Sequence, residues 1–345
     1  MTRLPPIAAA LALPFGALLA CSSPGSSPAS SGSAPTTAPA ATTALPATAE
    51  PSGSASASGA PAASSAPSAA CATPCLSIEK CEGGQCVPNC PANEVYIPKT
   101  PPEGFTLGRG KVLYGFGKMH GTPADGFGDA PHTVILTRPF CMDATEVIVK
   151  EMVRCVKEQG CREPAITDRW STYPKKPEYP VNMVDWDTAK DFCEKQGQSL
   201  PTEAQWQWAA TAGENLEYPW GNETPTCEYA DFTQGTLPSP GGDAGCDGGG
   251  PSPVGKRTKG DRVWPTGHLH DLAGNVWEWT LDTYGRYPKE TQTDPLHVSA
   301  TDVTHVVRGG GWNRSHRGIT VWFRGAAIHT YKVPGLGFRC VRNPQ

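Results

Sequence analysis

Cysteine placement constrains this chain more than any other feature. Of its thirteen cysteines, Cys21 stands alone near the N-terminus and the other twelve lie between Cys71 and Cys340. An even number at that density is compatible with six disulfides and suits an oxidising compartment; it would be odd in a cytosolic enzyme. Zinc is the weaker alternative. Cys71 and Cys75 have three residues between them, but no CxxC pair or nearby histidine completes a tetrahedral set. Cys71, Cys75, Cys81, Cys86 and Cys90 crowd into one short stretch and read as a small disulfide knot. Five is an odd number, so one of them is expected to reach the main domain, with Cys90 to Cys141 as the expected pair.

The N-terminus explains the lone cysteine. Arg3 precedes an apolar run from Leu4 to Ala20, too short to span a bilayer and ending in a small residue, which fits a secretory signal. Cys21 straight after Leu18-Leu19-Ala20 resembles the lipobox of bacterial lipoproteins, which implies acylation at Cys21 and a membrane anchor there. Leu19 is bulkier than the residue usual at that place. Ser22 after the cysteine, rather than Asp, favours the outer membrane under the lipoprotein sorting rule. From 22 to 70 the chain is nearly all Ser, Ala, Pro, Gly and Thr, with Glu50 its sole charge. Such a segment cannot bury enough apolar area to offset the entropy of ordering. As a flexible tether it would span roughly 40 Å. A net charge of −4 leaves no electrostatic footprint for nucleic acid. The expected organisation is therefore a signal segment over 1–21, a disordered linker over 22–70, a cysteine-rich knot over 71–92 and a globular domain over 93–345.

Within that domain, strands are expected over Glu94–Pro98, His132–Leu136, Thr304–Val307 and Val321–Arg324. Helices are expected over Val147–Lys157, over Trp186–Gln196 and from Thr202 towards Gly213. Thr202 and Gln205 form a capping box at the start of the third helix, and Gly197 stops the second. Long Gly, Pro, Asn and Asp-rich stretches follow, so the fold class is α+β with much irregular loop structure.

Six segments occur in a fixed order: Pro180–Trp186 (PVNMVDW), Leu200–Trp206 (LPTEAQW), Tyr218–Gly221 (YPWG), Asp271–Trp279 (DLAGNVWEW), Arg308–Trp312 (RGGGW) and Gly335–Cys340 (GLGFRC). This series resembles the formylglycine-generating enzyme, or sulfatase-modifying factor, family, from Asn93 to the C-terminus. The resemblance implies a variant of the C-type-lectin fold with two calcium sites. One would use the carboxylates of Asp271 and Glu278 with the carbonyls of Gly274 and Val276, a hard oxygen set suited to Ca²⁺. The other would use Asp231, the carbonyl of Phe232, and Asp247, with Asp243 competing. It also implies a Cys193–Cys340 bridge, worth roughly 4–5 kcal/mol in the chain-entropy model. Cys155–Cys161 and Cys227–Cys246 are natural local pairs.

Aldehyde-forming members of that family hold copper with two thiolates, and soft sulfur suits Cu(I). The matching positions here are Arg314 and Ile319, and no cysteine occurs between Cys246 and Cys340. No copper is therefore expected, and no catalytic residue is assigned. Trp312, Arg314, His316, Arg317 and Arg324 are expected to line the groove instead, since guanidinium forks suit carboxylate or sulfate. His268 and His270 have no evident third ligand and are expected to be surface or capping residues. The expected function is binding of a peptide, protein or glycan ligand at the cell envelope. The alternative is an oxidoreductase of the same family, formylglycine-generating-like or of a non-heme-iron type, using another site.

Overall fold

The computed structural model describes residues 71–109, 130–167, 169–234 and 245–344. Cys21, the linker and Asp243 lie outside them. The knot is a hairpin of β1 (Glu79–Glu82) and β2 (Gln85–Pro88). Gly83 and Gly84 sit at its turn with φ of 58° and 82°, values that side-chain-bearing residues adopt only at a cost. Cys71–Cys81 and Cys75–Cys86 staple the hairpin, and Cys90–Cys141 fastens the knot to the next sheet. The Tyr96 hydroxyl adds a second tie by donating to Glu79 at 2.7 Å.

The main domain begins with β3 (Glu94–Ile97), β4 (Phe105–Leu107), β5 (His132–Ile135) and β6 (Phe140–Asp143). Three helices follow. The first, α1 (Val149–Gln159), turns Val149, Met152 and Cys155 inward and ends at Gly160 in the left-handed region. The second, α2 (Trp186–Lys195), is capped by the Asp185 carboxylate accepting from the Thr188 amide. The third, α3 (Glu203–Thr211), starts with the reciprocal Thr202–Gln205 box. After them come β7 (Arg262–Trp264), β8 (Gly267–Leu269), β9 (Trp277–Thr283), β10 (Gln292–Thr293), β11 (Thr304–Arg308), β12 (Gly325–Ile328), β13 (Leu336–Gly337) and β14 (Val341–Arg342). Short strands between long loops make an α+β fold.

One sheet has the order β12-β11-β9-β13, and β9 is its longest strand. Its Trp277 and Trp279 are buried with Phe192, Phe338 and the inner faces of α1 and α2 in one core. A second sheet, β14-β6-β3, and α3 with Trp206 and Trp208 build the other. Cys193–Cys340 joins α2 to the residue preceding β14. Cys155–Cys161 and Cys227–Cys246 are also bonded, so every described cysteine is in a disulfide.

The strand expected over Val321–Arg324 is not formed. Arg308 occupies the carbonyls such a strand would offer its neighbour: Nη2 donates to Val321 O at 2.7 Å and Nη1 to Phe323 O at 3.2 Å. The chain turns there and the strand, β12, starts at Gly325.

Candidate functional site

The loop entering β9 contains three left-handed residues, Asp271 (φ 54°), Gly274 (φ 86°) and Asn275 (φ 54°). Backbone of this kind persists only where its surroundings dictate it. Here the constraint is a close approach: a Cβ on Gly274 would lie 2.2 Å from the Asp231 carbonyl oxygen. That carbonyl accepts from the Asn275 amide at 2.9 Å, so the loops carrying the two expected calcium sites are stitched together.

Glu278 pairs with side chains of the chain itself. It is fully buried and accepts from Arg339, whose Nε and Nη2 donate to its two oxygens at 2.8 and 2.7 Å, and from the Trp206 indole at 2.7 Å. The bidentate guanidinium balances its single negative charge.

Another carboxylate takes up the question. Glu146 is 1% exposed, and neither of its oxygens has a hydrogen-bond partner among the described residues. Burial pushes its pKa well up, and the negative charge of Asp271 pushes it further. Burial also raises Asp271, to about 6, although Gly255 N–H donates to it at 2.6 Å. A buried, partnerless carboxylate costs several kcal/mol unless it is protonated or meets a cation. Glu146 and Asp271 are therefore two buried carboxylates whose charge a hard divalent ion would neutralise. No local sequence pattern marks Glu146; it is an acid embedded between Met142 and Val147. Its signal is the absence of any donor.

The Asp231–Asp247 pocket differs. Asp231 is fully buried, and Cys246 N–H donates to its Oδ1 at 2.8 Å. The Ser252 hydroxyl lies between Oδ2 of Asp231 and Oδ2 of Asp247. Lys256 Nζ and Arg257 Nη2 stand on that same Asp247 oxygen at 2.6 and 3.0 Å. Burial would raise Asp247, but the Lys256 and Ser252 hydrogen bonds and the Arg257 charge outweigh it and bring its pKa down to about 2. Two cations already face these carboxylates, so the residues present do not fit calcium. The Phe232 side chain packs with Tyr218, Ala230, Ala273 and Ile319.

The RGGGW loop leaves β11 and folds back on itself. Gly310 (φ 73°) lies so close to its far limb that a Cβ would meet Gly318 O at 2.3 Å and the Ile319 side chain at 2.8 Å. Ile319 is wholly buried. Arg314, in contrast, is half-buried, with its guanidinium 5.7 Å from the Trp277 ring centre. Burial lowers its pKa, and its Nε has no partner. Asn313 Oδ1 and Ser315 Oγ beside it are likewise buried and unpartnered. Trp312 is buried at 2% exposure, 5.5 Å from the half-exposed Trp170 ring. His316 is half-buried, with its carbonyl accepting from the Tyr218 hydroxyl at 3.3 Å, and Arg317 is exposed.

Arg324 does not belong with these residues. Its Nε donates to both oxygens of buried Glu203, at 2.8 and 3.0 Å, and its guanidinium lies over Tyr284 and Tyr287. Burial alone would raise Glu203, but Arg324 and Arg308 together hold it below the usual carboxylate range. Arg324 is a core ion-pair partner, which corrects its place in the groove. His268 and His270 are held through Nδ1 by the buried Asp261 carboxylate, at 3.0 and 2.8 Å.

This α+β scaffold is shared with known proteins. The sulfatase-modifying factor enzyme 1-like domain matches residues 97–344. The chain belongs to this family. It is similar to the formylglycine-generating enzyme of Thermomonospora curvata, 28% identical over 74% of this chain and 99% of that protein. Bovine relatives are matched over about half their length. The bovine formylglycine-generating enzyme is 32% identical over 54% of this chain and 49% of its own. The bovine inactive C-alpha-formylglycine-generating enzyme 2 is 33% identical over 48% of this chain and 51% of its own. Among solved structures, PvdO from Pseudomonas aeruginosa superposes with a TM-score of 0.52 at 21% identity, covering 73% of this chain and 94% of that one. That likeness is one of fold.

Proposed function

We propose that this chain is an extracytoplasmic lipoprotein whose sulfatase-modifying-factor-type domain binds a ligand and performs no copper-dependent cysteine oxidation. One observation carries the reading: a guanidinium, Arg314, and a buried hydrocarbon, Ile319, stand where the family resemblance places the two copper thiolates. Every described cysteine is consumed in a disulfide, so none offers sulfur to a metal. A bovine relative whose name calls it inactive is in keeping with a domain kept without the oxidation.

The groove chemistry favours an anionic group on the ligand, whether peptide, protein or glycan. Arg314 brings a half-buried guanidinium, seated over the Trp277 ring, to the RGGGW loop. Planar guanidinium and indole faces suit carboxylate or sulfate presented beside a ring or peptide plane. Calcium, held by Glu146 and Asp271, would neutralise buried carboxylates under the loop and so keep the scaffold in shape. It would take no part in chemistry. The disulfides fit an oxidising space outside the cytoplasm, and acylation of Cys21 would tether the domain there, in the outer membrane by the Ser22 rule.

The decisive experiment incubates purified protein with a CxPxR peptide, Cu(I) and oxygen, and reads the peptide mass. No conversion of cysteine to aldehyde is expected, and metal analysis should find calcium without stoichiometric copper. Aldehyde formation would overturn the proposal.

A further inference from the structure

The Asp231–Asp247 pocket departs from the calcium site the family resemblance implies, and the chain's own side chains fill the difference. Arg257 is 5% exposed. Its Nε is anchored on Cys227 O at 2.9 Å, its Nη2 reaches Asp247 at 3.0 Å, and its Nη1 stands 3.7 Å from Asp231 with no hydrogen-bond partner among the described residues. Lys256 adds a second positive charge on Asp247 at 2.6 Å. The Cys227–Cys246 disulfide clamps the arrangement from both sides: Cys227 supplies the carbonyl that holds Arg257, and Cys246 supplies the amide that holds Asp231.

We propose that Arg257, assisted by Lys256, is a resident cation in the place of a second calcium, so that this domain takes up calcium at the Glu146–Asp271 pocket alone. The charge count supports it. Two carboxylates face one guanidinium and one ammonium, so the pocket is already neutral, and a divalent ion would enter against two positive charges. To make room, Arg257 would have to leave a buried position and give up Asp247 and the Cys227 carbonyl. The Ser252 hydroxyl has one proton for two flanking carboxylate oxygens. The oxygen left without it therefore needs a positive neighbour, which Arg257 and Lys256 provide. A metal held by two carboxylates and a carbonyl is replaced by a guanidinium held by the same carboxylates and a different carbonyl.

The inference draws on the calcium reading of the Glu146–Asp271 pocket only for the total count, and the test separates the two. Calcium bound per chain is measured by equilibrium dialysis of the disulfide-intact protein at millimolar calcium. About one ion is expected for the wild type, with the same count in Asp231→Asn; loss of an ion in that variant would overturn the inference. Lys256→Gln combined with Arg257→Gln should gain one ion. A folded double variant, verified by circular dichroism, that gains none would equally overturn it. If the double variant does not fold, Arg257→Gln alone is used: calcium should raise its melting temperature by several degrees more than it raises that of the wild type, and equal shifts count against the resident cation. Binding of no ion by the wild type would refute the calcium reading of the Glu146–Asp271 pocket, while the count in the charge-removed variant still decides the role of Arg257.

Discussion

Two acidic pockets lie on loops joined by the Asn275–Asp231 hydrogen bond, and they solve the same electrostatic problem in opposite ways. Around Asp271, one guanidinium, Arg339, is committed to Glu278, and Glu146 is left with no partner. Around Asp231, two cations of the chain stand on the carboxylates. Acidic residues in a loop therefore do not by themselves define a cation site. What matters is whether the chain supplies the counter-charge itself, and the difference lies in Lys256 and Arg257 rather than in the acids.

The largest effect is expected from Arg339→Met. It would strand Glu278 beside Glu146 and Asp271 in the core and cost about 3–5 kcal/mol, the usual penalty for orphaning a buried charge. Urea unfolding measures it, and a loss below about 1 kcal/mol would mean that Arg339 is not what neutralises this pocket. Next comes calcium removal. At a calcium concentration about a hundredfold above its dissociation constant, chelation should cost roughly 2.7 kcal/mol. Glu146→Gln should abolish that dependence, while Asp231→Asn should leave it intact. The contrast between the two variants is the reading that matters; equal responses would erase the distinction between the pockets.

Arg314→Met should have a smaller effect and the opposite sign. A buried Nε without an acceptor costs on the order of 1 kcal/mol, so the variant should melt slightly higher while losing affinity for sulfated or carboxylated probes. Lower stability together with unchanged binding would assign Arg314 to the scaffold.

The most gradual effect is the pH dependence of carboxylates outside both pockets. Burial raises Asp143 to about 7 and Asp282 to about 6. Both are raised above their unfolded values, so the folded state holds these protons more tightly. Their contribution is complete below the unfolded pKa and is lost as pH rises through about 6 to 7. Stability should fall from about pH 4 to about pH 7, and Asp143→Asn should flatten that slope in thermal melts.

Much of the scaffold was legible because its signals are local or chemical. The Thr202–Gln205 box, the three helices and the strands near Glu94, His132 and Thr304 follow from side chains a few residues apart. The Cys193–Cys340 bond is the pair implied by the family resemblance. What escaped depends on distant partners. Arg324 reads as a groove cation until Glu203, far away in sequence, is seen to hold it. The missing strand at Val321 has the same origin, since Arg308 draws its carbonyls inward. Glu146 has no hydrogen-bond partner among the described residues, so no pairing in the sequence points to it.

The closed neck of the RGGGW loop has a consequence for how this surface can change. Its geometry is fixed by main-chain links, among them Arg314 N–H to Gly311 O, Gly318 N–H to Ser315 O and Thr233 N–H to Arg314 O, and none of these depends on what side chain the middle of the loop carries. Asn313, Arg314, His316 and Arg317 can therefore be exchanged like tiles in a frame. A sequence drifting at those positions would change the chemistry of this surface long before it disturbed how the protein folds.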